Sequence, residues 1–308
     1  MQCKVITYDG ATHSLPPLLS WQLLRTDGDG CDGFCVCFAA DAKTDGWLAK
    51  AVKFSVFEGN RQVFCGIVDD YELELSDRGK RCTLSGRGMA GRLLDNEVKP
   101  AEYQQAYLPM ILERYVHAYG ISSKAVSLSP LSLFSVPLGT SCWNVLRGFC
   151  INAGAKPPWC SADGVVQVAT KYPSTGVAFT DKQLMAASYC NCRYGVISKQ
   201  LQITPEGTVF TATNDAFTAI GGNVQKVRYR AGSTLSCNYR SPAAQIAASR
   251  TQQFRLKLEL AGNFLAEPNT WVTVTVSTLG ISGAFRVCQC LSEGSDRGIT
   301  CSLILSRV

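Results

Sequence analysis

The chain has 308 residues, of which 46% are hydrophobic and only 18% are charged. This length suggests two domains, or two with a small insert, and the hydrophobic share is typical of a globular protein. No apolar run approaches the ~20 residues of a membrane-spanning helix, and the first residues lead into a strand pattern without a secretory signal. We therefore expect no membrane insertion, and the low charge content favours an oligomer with covered interfaces.

The net charge of +6 is unevenly distributed. Residues 1–99 carry 12 Lys and Arg against 14 Asp and Glu, whereas residues 100–308 carry 18 against 10. The basic second part is either an ordinary solvated surface or a face directed toward DNA or an acidic partner.

Residues 1–99 consist of short apolar runs separated by turn signals, which predicts a meander of antiparallel hairpins able to close into a small barrel. Asp69-Asp70 and Asp77 to Lys80 are read as turns. Residues 71–75 alternate apolar and acidic side chains, which predicts one buried and one solvated face. The predicted strands cover residues 5–8, 21–25, 53–57, 62–68, 71–75 and 81–85.

The next segment, residues 100–180, is predicted to be a helical linker followed by a small α/β insert. A short helix is expected over residues 89–94 and a longer helical stretch over residues 102–119, with Pro109 at a first helical position and Gly120 as its end. Residues 122–137 are expected to form a loop.

The insert itself is predicted to be a helix followed by a hairpin. Ser141 is a candidate N-cap for a helix over residues 141–153, and Gly154 is a candidate C-cap. Asp163-Gly164 is the turn expected between the two strands of the hairpin.

Residues 181–308 return to strands, with one Ala-rich helix expected over residues 243–251. The fold class predicted for the whole chain is mainly β with an α+β insert, with two small antiparallel β-barrel-like domains around a helix-hairpin insert. The domains are expected at residues 1–99, 100–180 and 181–308. The predicted strands of the last part cover residues 196–203, 208–211, 224–230, 254–260, 271–276, 284–290 and 300–305. The strand at 271–276 is expected at a barrel edge, with its valine row (272, 274 and 276) toward the core and its threonine row (273 and 275) toward an interface.

The 15 cysteines are the first candidates for a chemical site. Cys31, Cys35 and Cys37 form the densest cluster, but no fourth ligand lies nearby, and the closest histidine upstream is His13. The Cys-x-Cys spacing recurs, and alternate strand positions share one face. We interpret most cysteines as small, reduced, buried residues and expect no metal site. The repeats are Cys35 with Cys37, Cys190 with Cys192, and Cys288 with Cys290.

A nucleophilic enzyme needs a base beside its serine or cysteine, and the chain has only two histidines. His13 lies in a Thr-His-Ser context, and His117 follows Glu113 by four residues, as in a surface pair on a helix. Gly86 to Gly91 is glycine-rich but lacks the Lys and Ser or Thr of a phosphate loop, so it is interpreted as a tight strand-to-helix turn. We expect no enzyme activity and predict no catalytic, cofactor-binding or metal residues.

Lys226, Arg228 and Arg230 alternate with Val227 and Tyr229. On a strand the three cations share one face, which is either a solvated face or the lining of a channel for DNA. Tyr229 points to the opposite face, so base stacking beside the cations is not offered.

Motifs recur in order along the chain, at residues 62–71, 77–80, 84–88, 93–95, 140–146, 163–164, 268–274, 279–287 and 296–305. Taken together, these stretches resemble the baseplate hub proteins of contractile-tailed phages, including the phage Mu tail hub and the late control gene D group. Gly88 stands where that family often has Asp, and Asn269 stands where it has Gly. The resemblance spans nearly the whole chain.

The resemblance implies a structural role: a homotrimer whose two similar barrels per subunit form a six-barrel ring between the sixfold tail tube and the threefold central spike. It implies as partners the tube or a tube-initiator protein and the spike, with DNA passing through the lumen. It places the protein in the virion tail, the baseplate, after assembly in the host cytoplasm, and it covers phages and headless contractile injection systems alike.

Two other functions stay open at this point. A nucleic-acid-binding β-barrel protein is favoured by the basic second half of the chain. A cell-wall-active tail component is disfavoured because the sequence stops at Val308, directly after the last predicted strand, leaving no room for a fused hydrolase.

Overall fold

A computed structural model of the chain describes residues 1–28, 30–77, 79–217, 226–231, 233–263 and 266–307. Within these ranges the chain is mainly β with a mixed insert, as predicted from the sequence. No helix in the described ranges is long and apolar enough to cross a membrane. The α-helices are α1 Ala42–Leu48, α2 Gly91–Asp95, α3 Leu108–Tyr115, α4 Cys142–Asn152 and α5 Pro242–Thr251.

The strands fall into an early set, a middle set and a late set along the chain. The early set is β1 Gln2–Thr7, β2 Thr12–Ser14, β3 Leu18–Thr26, β4 Gly33–Ala39, β5 Ala51–Glu58, β6 Arg61–Ser76 and β7 Gly79–Gly88. The middle set is β8 Ala101–Ala106, β9 Ser123–Ala125, β10 Leu131–Val136, β11 Trp159–Cys160 and β12 Val166–Val168. The late set is β13 Ser174–Thr180, β14 Leu184–Asn191, β15 Lys199–Ile203, β16 Val209–Thr213, β17 Val227–Ala231, β18 Phe254–Ala261, β19 Trp271–Val276, β20 Ile281–Ser295 and β21 Gly298–Ser306.

The early strands pair in the order β2-β1-β5-β6-β7-β4-β3. Their inner positions alternate with outer ones, as in β4, where Phe34, Val36 and Phe38 face the core. The ring centroids of Phe34 and Phe54 lie 4.1 Å apart in a stacked arrangement. Aromatic packing therefore closes the core of this part of the sheet.

The late strands continue the same sheet, because β20 is long enough to have three neighbours. Its first part pairs with β19, its second part pairs with β3, and β21 runs along its other side. β18 and β14 follow β21, and β13 pairs with β19. The inner row of β19, Val272, Val274 and Val276, is buried, which contributes roughly 1.5–3 kcal/mol per side chain.

The insert packs α2, α3 and α4 against β8 and β10 and against the short three-stranded sheet β11-β12-β9. α4 begins as predicted, with the Ser141 hydroxyl accepting a hydrogen bond from the Asn144 N–H. Gly154 follows α4 with φ at +78°, and Gly164 occupies the hairpin turn with φ at +81°. These three local predictions are confirmed.

A second small sheet, β16-β15-β17, packs on α5. Its inner face is polar, because Gln200 and Gln202 of β15 are both buried. The sequence prediction of strands here is confirmed for residues 199–203, 209–211 and 227–230, while residues 224 and 225 lie outside the described ranges.

Two strand and turn predictions are wrong. Asp69-Asp70 is not a turn: β6 continues through it with a β-bulge between Val68 and Asp70. Residues 71–75 do not have a buried face, because Tyr71, Leu73 and Leu75 are 44%, 42% and 82% exposed. The pairing of β6 with β5 ends at Ile67, which lies opposite Lys53, so the later part of β6 extends beyond the core.

Two further predictions fail in the insert. Residues 101–106 form strand β8 rather than the start of a helix, and the helix α3 begins only at Leu108, with Pro109 in its first turn as expected. Residues 122–137 contain strands β9 and β10 instead of a loop. Pairing with distant segments produces these strands, which the local sequence pattern does not reveal.

Candidate assembly surfaces

Three charged side chains, from the stretches 62–71, 84–88 and 93–95, form one ion-pair network. The Arg87 guanidinium donates to both carboxylate oxygens of Asp69, at 2.7 and 2.9 Å, and to both oxygens of Asp95, at 2.7 and 2.8 Å. The hydrogen bonds from Arg87 lower the pKa of Asp95. This network ties the bulge of β6 to the end of β7 and to the end of α2.

The glycines of the same motifs allow β6 and β7 to approach closely. A Cβ on Gly86 would lie far inside van der Waals distance of the Ile67 carbonyl oxygen, and 2.7 Å from the Phe34 ring. A Cβ on Gly88 would lie 2.7 Å from Asp32 Cβ. The glycine-rich stretch is therefore explained by backbone packing at a strand-to-helix turn.

A second polar network joins the early and late strands. Arg286 Nη1 lies 2.8 Å from Asp27 Oδ2 and 2.8 Å from Asn269 Oδ1, and Asn269 Nδ2 donates to the Asp27 carbonyl at 3.0 Å. Asn269 has φ at +61°, a conformation that Gly and Asn tolerate best. The backbone conformation therefore favours Asn over most other residues at position 269.

A third network joins the early strands to the insert. Buried Arg25 donates to Asp32 Oδ2 at 2.8 Å and to the Cys160 carbonyl at 3.0 Å. Trp143 Nε1 donates to the Gly28 carbonyl at 3.3 Å from the insert helix α4. The contacts of Asp27 and Gly28 therefore tie the loop after β3 to the late strands and to the insert, as well as to the early strands.

All 15 cysteines lie in the described ranges and are free thiols, and nine of them are buried. Burial raises the pKa of Cys3 to about 12 and that of Cys150 to about 12, which disfavours the reactive thiolate. No group of three or more His, Cys, Asp or Glu residues in the described part of the chain could hold a metal ion. The buried cysteines are Cys3, Cys65, Cys82, Cys142, Cys150, Cys160, Cys237, Cys290 and Cys301.

The Cys-x-Cys interpretation is only partly right. Cys35 and Cys37 do share one face of β4, but it is the face opposite the core residues. Cys190 and Cys192 are both exposed, so they are not core residues.

Cys288 and Cys290 do not share a face, because a bulge interrupts the pairing after Val287. Cys290 lies in the core, with its Sγ 3.6 Å from that of Cys301. Cys288 instead lies 3.1 Å, Sγ to Oγ, from Ser306.

The two histidines have ordinary packing partners. His13 stacks on Trp47, with ring centroids 5.4 Å apart. His117 pairs with Glu113 at 2.9 Å, as predicted, and its other ring nitrogen lies 2.9 Å from Ser123 Oγ, which the sequence did not indicate. The Glu113 side chain is 77% exposed, so this acid–imidazole–hydroxyl chain lies in solvent rather than in a desolvated cleft.

Two strands project with charged and apolar side chains alternating on exposed faces. The acidic ribbon, residues 70–75 of β6, presents Asp70, Glu72 and Glu74 on one face and Tyr71, Leu73 and Leu75 on the other. The basic ribbon comprises Lys226 and the β17 residues 227–230. Its cations are Lys226, Arg228 and Arg230, whose alternation the sequence already shows.

The basic ribbon is exposed on both faces beyond Lys226, with Val227 at 39% and Tyr229 at 69% exposure. Lys226 Nζ lies 3.5 Å from the centroid of the Tyr194 ring, so this cation already has a partner. Arg228 and Arg230 have no carboxylate within ion-pair distance among the described residues.

The fold is similar to that of solved tail proteins. The chain is similar to the 43 kDa tail protein of prophage MuSo2 from Shewanella oneidensis, with a TM-score of 0.80 and 14% identity over 100% of this chain and 98% of the other. It is similar to a tail protein from Neisseria meningitidis MC58, with a TM-score of 0.77 and 15% identity over 99% and 96%. The chain therefore has the fold of these tail proteins over its full described length.

A more distant similarity links the chain to the E. coli c3393 protein, a component of the type VI secretion system, with a TM-score of 0.55 and 11% identity over 94% of this chain and 73% of the other. No protein-family model and no curated protein matches the sequence. At these identities the similarity establishes the fold.

Proposed function

We propose that this chain is a structural baseplate hub of a contractile tail, which adapts the sixfold tail tube to the threefold central spike. The observation that carries the proposal is the similarity to the MuSo2 tail protein over 100% of this chain and 98% of that one. Neither chain has a large unmatched part, so the proposal extends the role of a whole tail protein by analogy of fold. The motifs point to the group of the phage Mu tail hub and the late control gene D proteins.

The proposed mechanism is symmetry adaptation by internal repetition. Each subunit contributes two β units, the early strands and the late strands, joined at the β3–β20 ladder. If each unit closes into a barrel-like domain, three subunits form a ring of six similar units around a lumen. The six like faces match a sixfold tube, and the insert, present once per subunit, matches a threefold spike.

The proposed partners are two further copies of the chain, the tube or a tube-initiator protein, and the spike. DNA would pass through the lumen of the ring during injection. The proposed location is the baseplate of the virion tail, reached after assembly in the host cytoplasm. Only 18% of the residues are charged. This low share is expected of a subunit that buries much of its surface against neighbouring copies, the tube and the spike.

Nucleic-acid binding is the second candidate, because Arg228 and Arg230 are exposed on one strand. A salt-titrated DNA-binding assay separates the two functions. A DNA-binding barrel would lose affinity steeply between 50 and 200 mM salt, on the order of 10³-fold for six phosphate contacts. For a hub, we expect no binding at physiological salt.

Light scattering of the isolated protein, and of the protein mixed with its spike, tests the proposal. We expect three copies of the 33.3 kDa chain in at least one of these conditions, either as the free trimer or within the complex with the spike. A monomer in both conditions contradicts a hub.

A further inference from the structure

The acidic and basic ribbons both lie at open sheet edges. β6 pairs with β5 only up to Ile67, so residues 70–76 have β7 as their single partner strand among the described residues. β17 pairs with β15 and has no other partner in the described part of the chain. Each edge exposes backbone N–H and C=O groups that a further strand can pair with.

The two ribbons are complementary in charge. Both have a period of two, so each carries a charged row on one face and an apolar row on the other. The acidic row is Asp70, Glu72 and Glu74, and the basic row is Lys226, Arg228 and Arg230. Edge-to-edge pairing brings unlike charges together on one face and apolar side chains together on the other.

We propose that the acidic ribbon of one copy pairs edge to edge with the basic ribbon of a second copy, forming a continuous sheet across the subunit boundary. The proposal deepens the proposed function and rests on it, because it names the contact that closes the hub ring.

The registers that the pattern allows are well defined. A parallel register places Asp70 beside Lys226, Glu72 beside Arg228 and Glu74 beside Arg230. The antiparallel register places Glu72 opposite Arg230, Glu74 opposite Arg228 and Leu75 opposite Val227. Both place Leu73 beside Tyr229, so Leu73 is at the centre of the contact in either case.

Opposite charge also determines the type of assembly. Two acidic ribbons repel each other, and so do two basic ones, which disfavours a twofold contact between identical ribbons. An acidic ribbon on one copy and a basic ribbon on the next give a head-to-tail contact, which forms a ring where the rotation between copies closes and an open filament where it does not. The acidic first part and basic second part of the chain follow the same division.

Charge reversal tests the pairing. The double variant Glu72→Lys, Glu74→Lys places cations against the basic ribbon, and Arg228→Glu, Arg230→Glu places acids against the acidic ribbon. We expect each double variant to weaken assembly at least ~10-fold, since like charges face each other at the contact. The quadruple variant carries both reversals, restores unlike charges in every contact of a homomeric ring, and should recover the wild-type mass.

Two controls keep the test interpretable. Glu206→Lys, Asp296→Lys makes the same change in net charge as the acidic-ribbon double variant, at exposed turn positions outside both ribbons and outside the insert, and should leave the mass unchanged. Glu72, Arg228 and Arg230 lack an ion-pair partner among the described residues, and Glu74 has only an exposed pair with Arg81 that contributes at most about 1 kcal/mol. Each ribbon variant should therefore fold with wild-type circular dichroism.

The outcomes separate the two proposals. A wild-type trimer that both double variants retain overturns the ribbon pairing and leaves the hub intact, because another chain or surface then covers these edges. Loss of the trimer in the double variants without recovery in the quadruple variant also overturns the pairing. A wild-type monomer, alone and with the spike, overturns the hub itself.

Discussion

Arg286 of β20 reaches Asp27, 259 positions earlier in the chain, with 2.8 Å between Nη1 and Oδ2. Both side chains are largely buried, at 10% and 14% exposure. The pair lies beside the β3–β20 ladder, where the early and late strands form one sheet. The two halves of the chain are therefore joined by a charged contact as well as by backbone pairing.

We expect Arg286→Ala to lower the free energy of unfolding by about 3–5 kcal/mol, because it leaves the buried Asp27 carboxylate without its cation. Urea unfolding followed by circular dichroism measures the change. Lys257→Ala is the matched control, since Lys257 pairs with Glu259 on the surface and should contribute at most about 1 kcal/mol. Equal effects of the two substitutions would show that the Arg286 pair does not hold the junction.

The Arg87 network predicts a pH-dependent contribution to stability. The pKa of Asp95 is lowered in the folded protein, so its contribution is present above the unfolded carboxyl pKa of about 4 and is lost as the pH falls through the lower folded value. We expect Arg87→Ala to cost about 1 kcal/mol at pH 7, because the three side chains are partly exposed.

The difference between Arg87→Ala and the wild type should shrink as the pH is lowered from 5 to 2, in urea titrations at each pH. Arg61→Ala, which removes an exposed pair with Glu58, serves as the control and should change stability less. A difference that stays constant down to pH 2 would argue against the ionised Asp95 as its source.

Gly86→Ala tests the close approach of β6 and β7. The added methyl group overlaps the Ile67 carbonyl and the Phe34 ring, so we expect a loss of about 2–3 kcal/mol. Gly46→Ala is the opposite case, because a Cβ on this exposed position in α1 meets no atom within 4 Å, and it should stabilise by about 0.5–1 kcal/mol. Thermal unfolding of both variants measures the two changes in stability. An unchanged stability in Gly86→Ala would show that β6 and β7 do not require a glycine at this position.

The Glu113–His117–Ser123 chain is expected to be catalytically inert. Its carboxylate is 77% exposed and solvated, so it orients and polarises the imidazole weakly. Hydrolysis of p-nitrophenyl acetate should be the same for wild type and Ser123→Ala within about twofold. A fall of the order of 100-fold in Ser123→Ala would instead identify a serine hydrolase site.

The sequence predicted those parts of the fold that local chemistry determines. Ser141, Gly154 and Gly164 specify their cap and turn through a hydroxyl acceptor and positive φ angles. The alternation of Val272, Val274 and Val276 with threonines correctly assigned the valines to the core.

The predictions that are wrong concern features that depend on the order of strands in the sheet. The sequence predicts β19 as a barrel edge, which is wrong, because β13 pairs with it on one side and β20 on the other, so Thr273 and Thr275 lie between two neighbouring strands. The Asp69-Asp70 pair looks like a turn locally, and only the pairing with β7 reveals a bulge in a continuous strand. The acidic ribbon could not be recognised for the same reason, since its exposure follows from where β5 stops.

The rotational symmetry of the purified particle tests the central claim most directly. Electron microscopy class averages of the isolated protein, or of its complex with the spike, should show a threefold ring around a central lumen, with six similar densities on one side. Single compact particles of one chain, or rings of twofold symmetry, in both preparations would contradict the account.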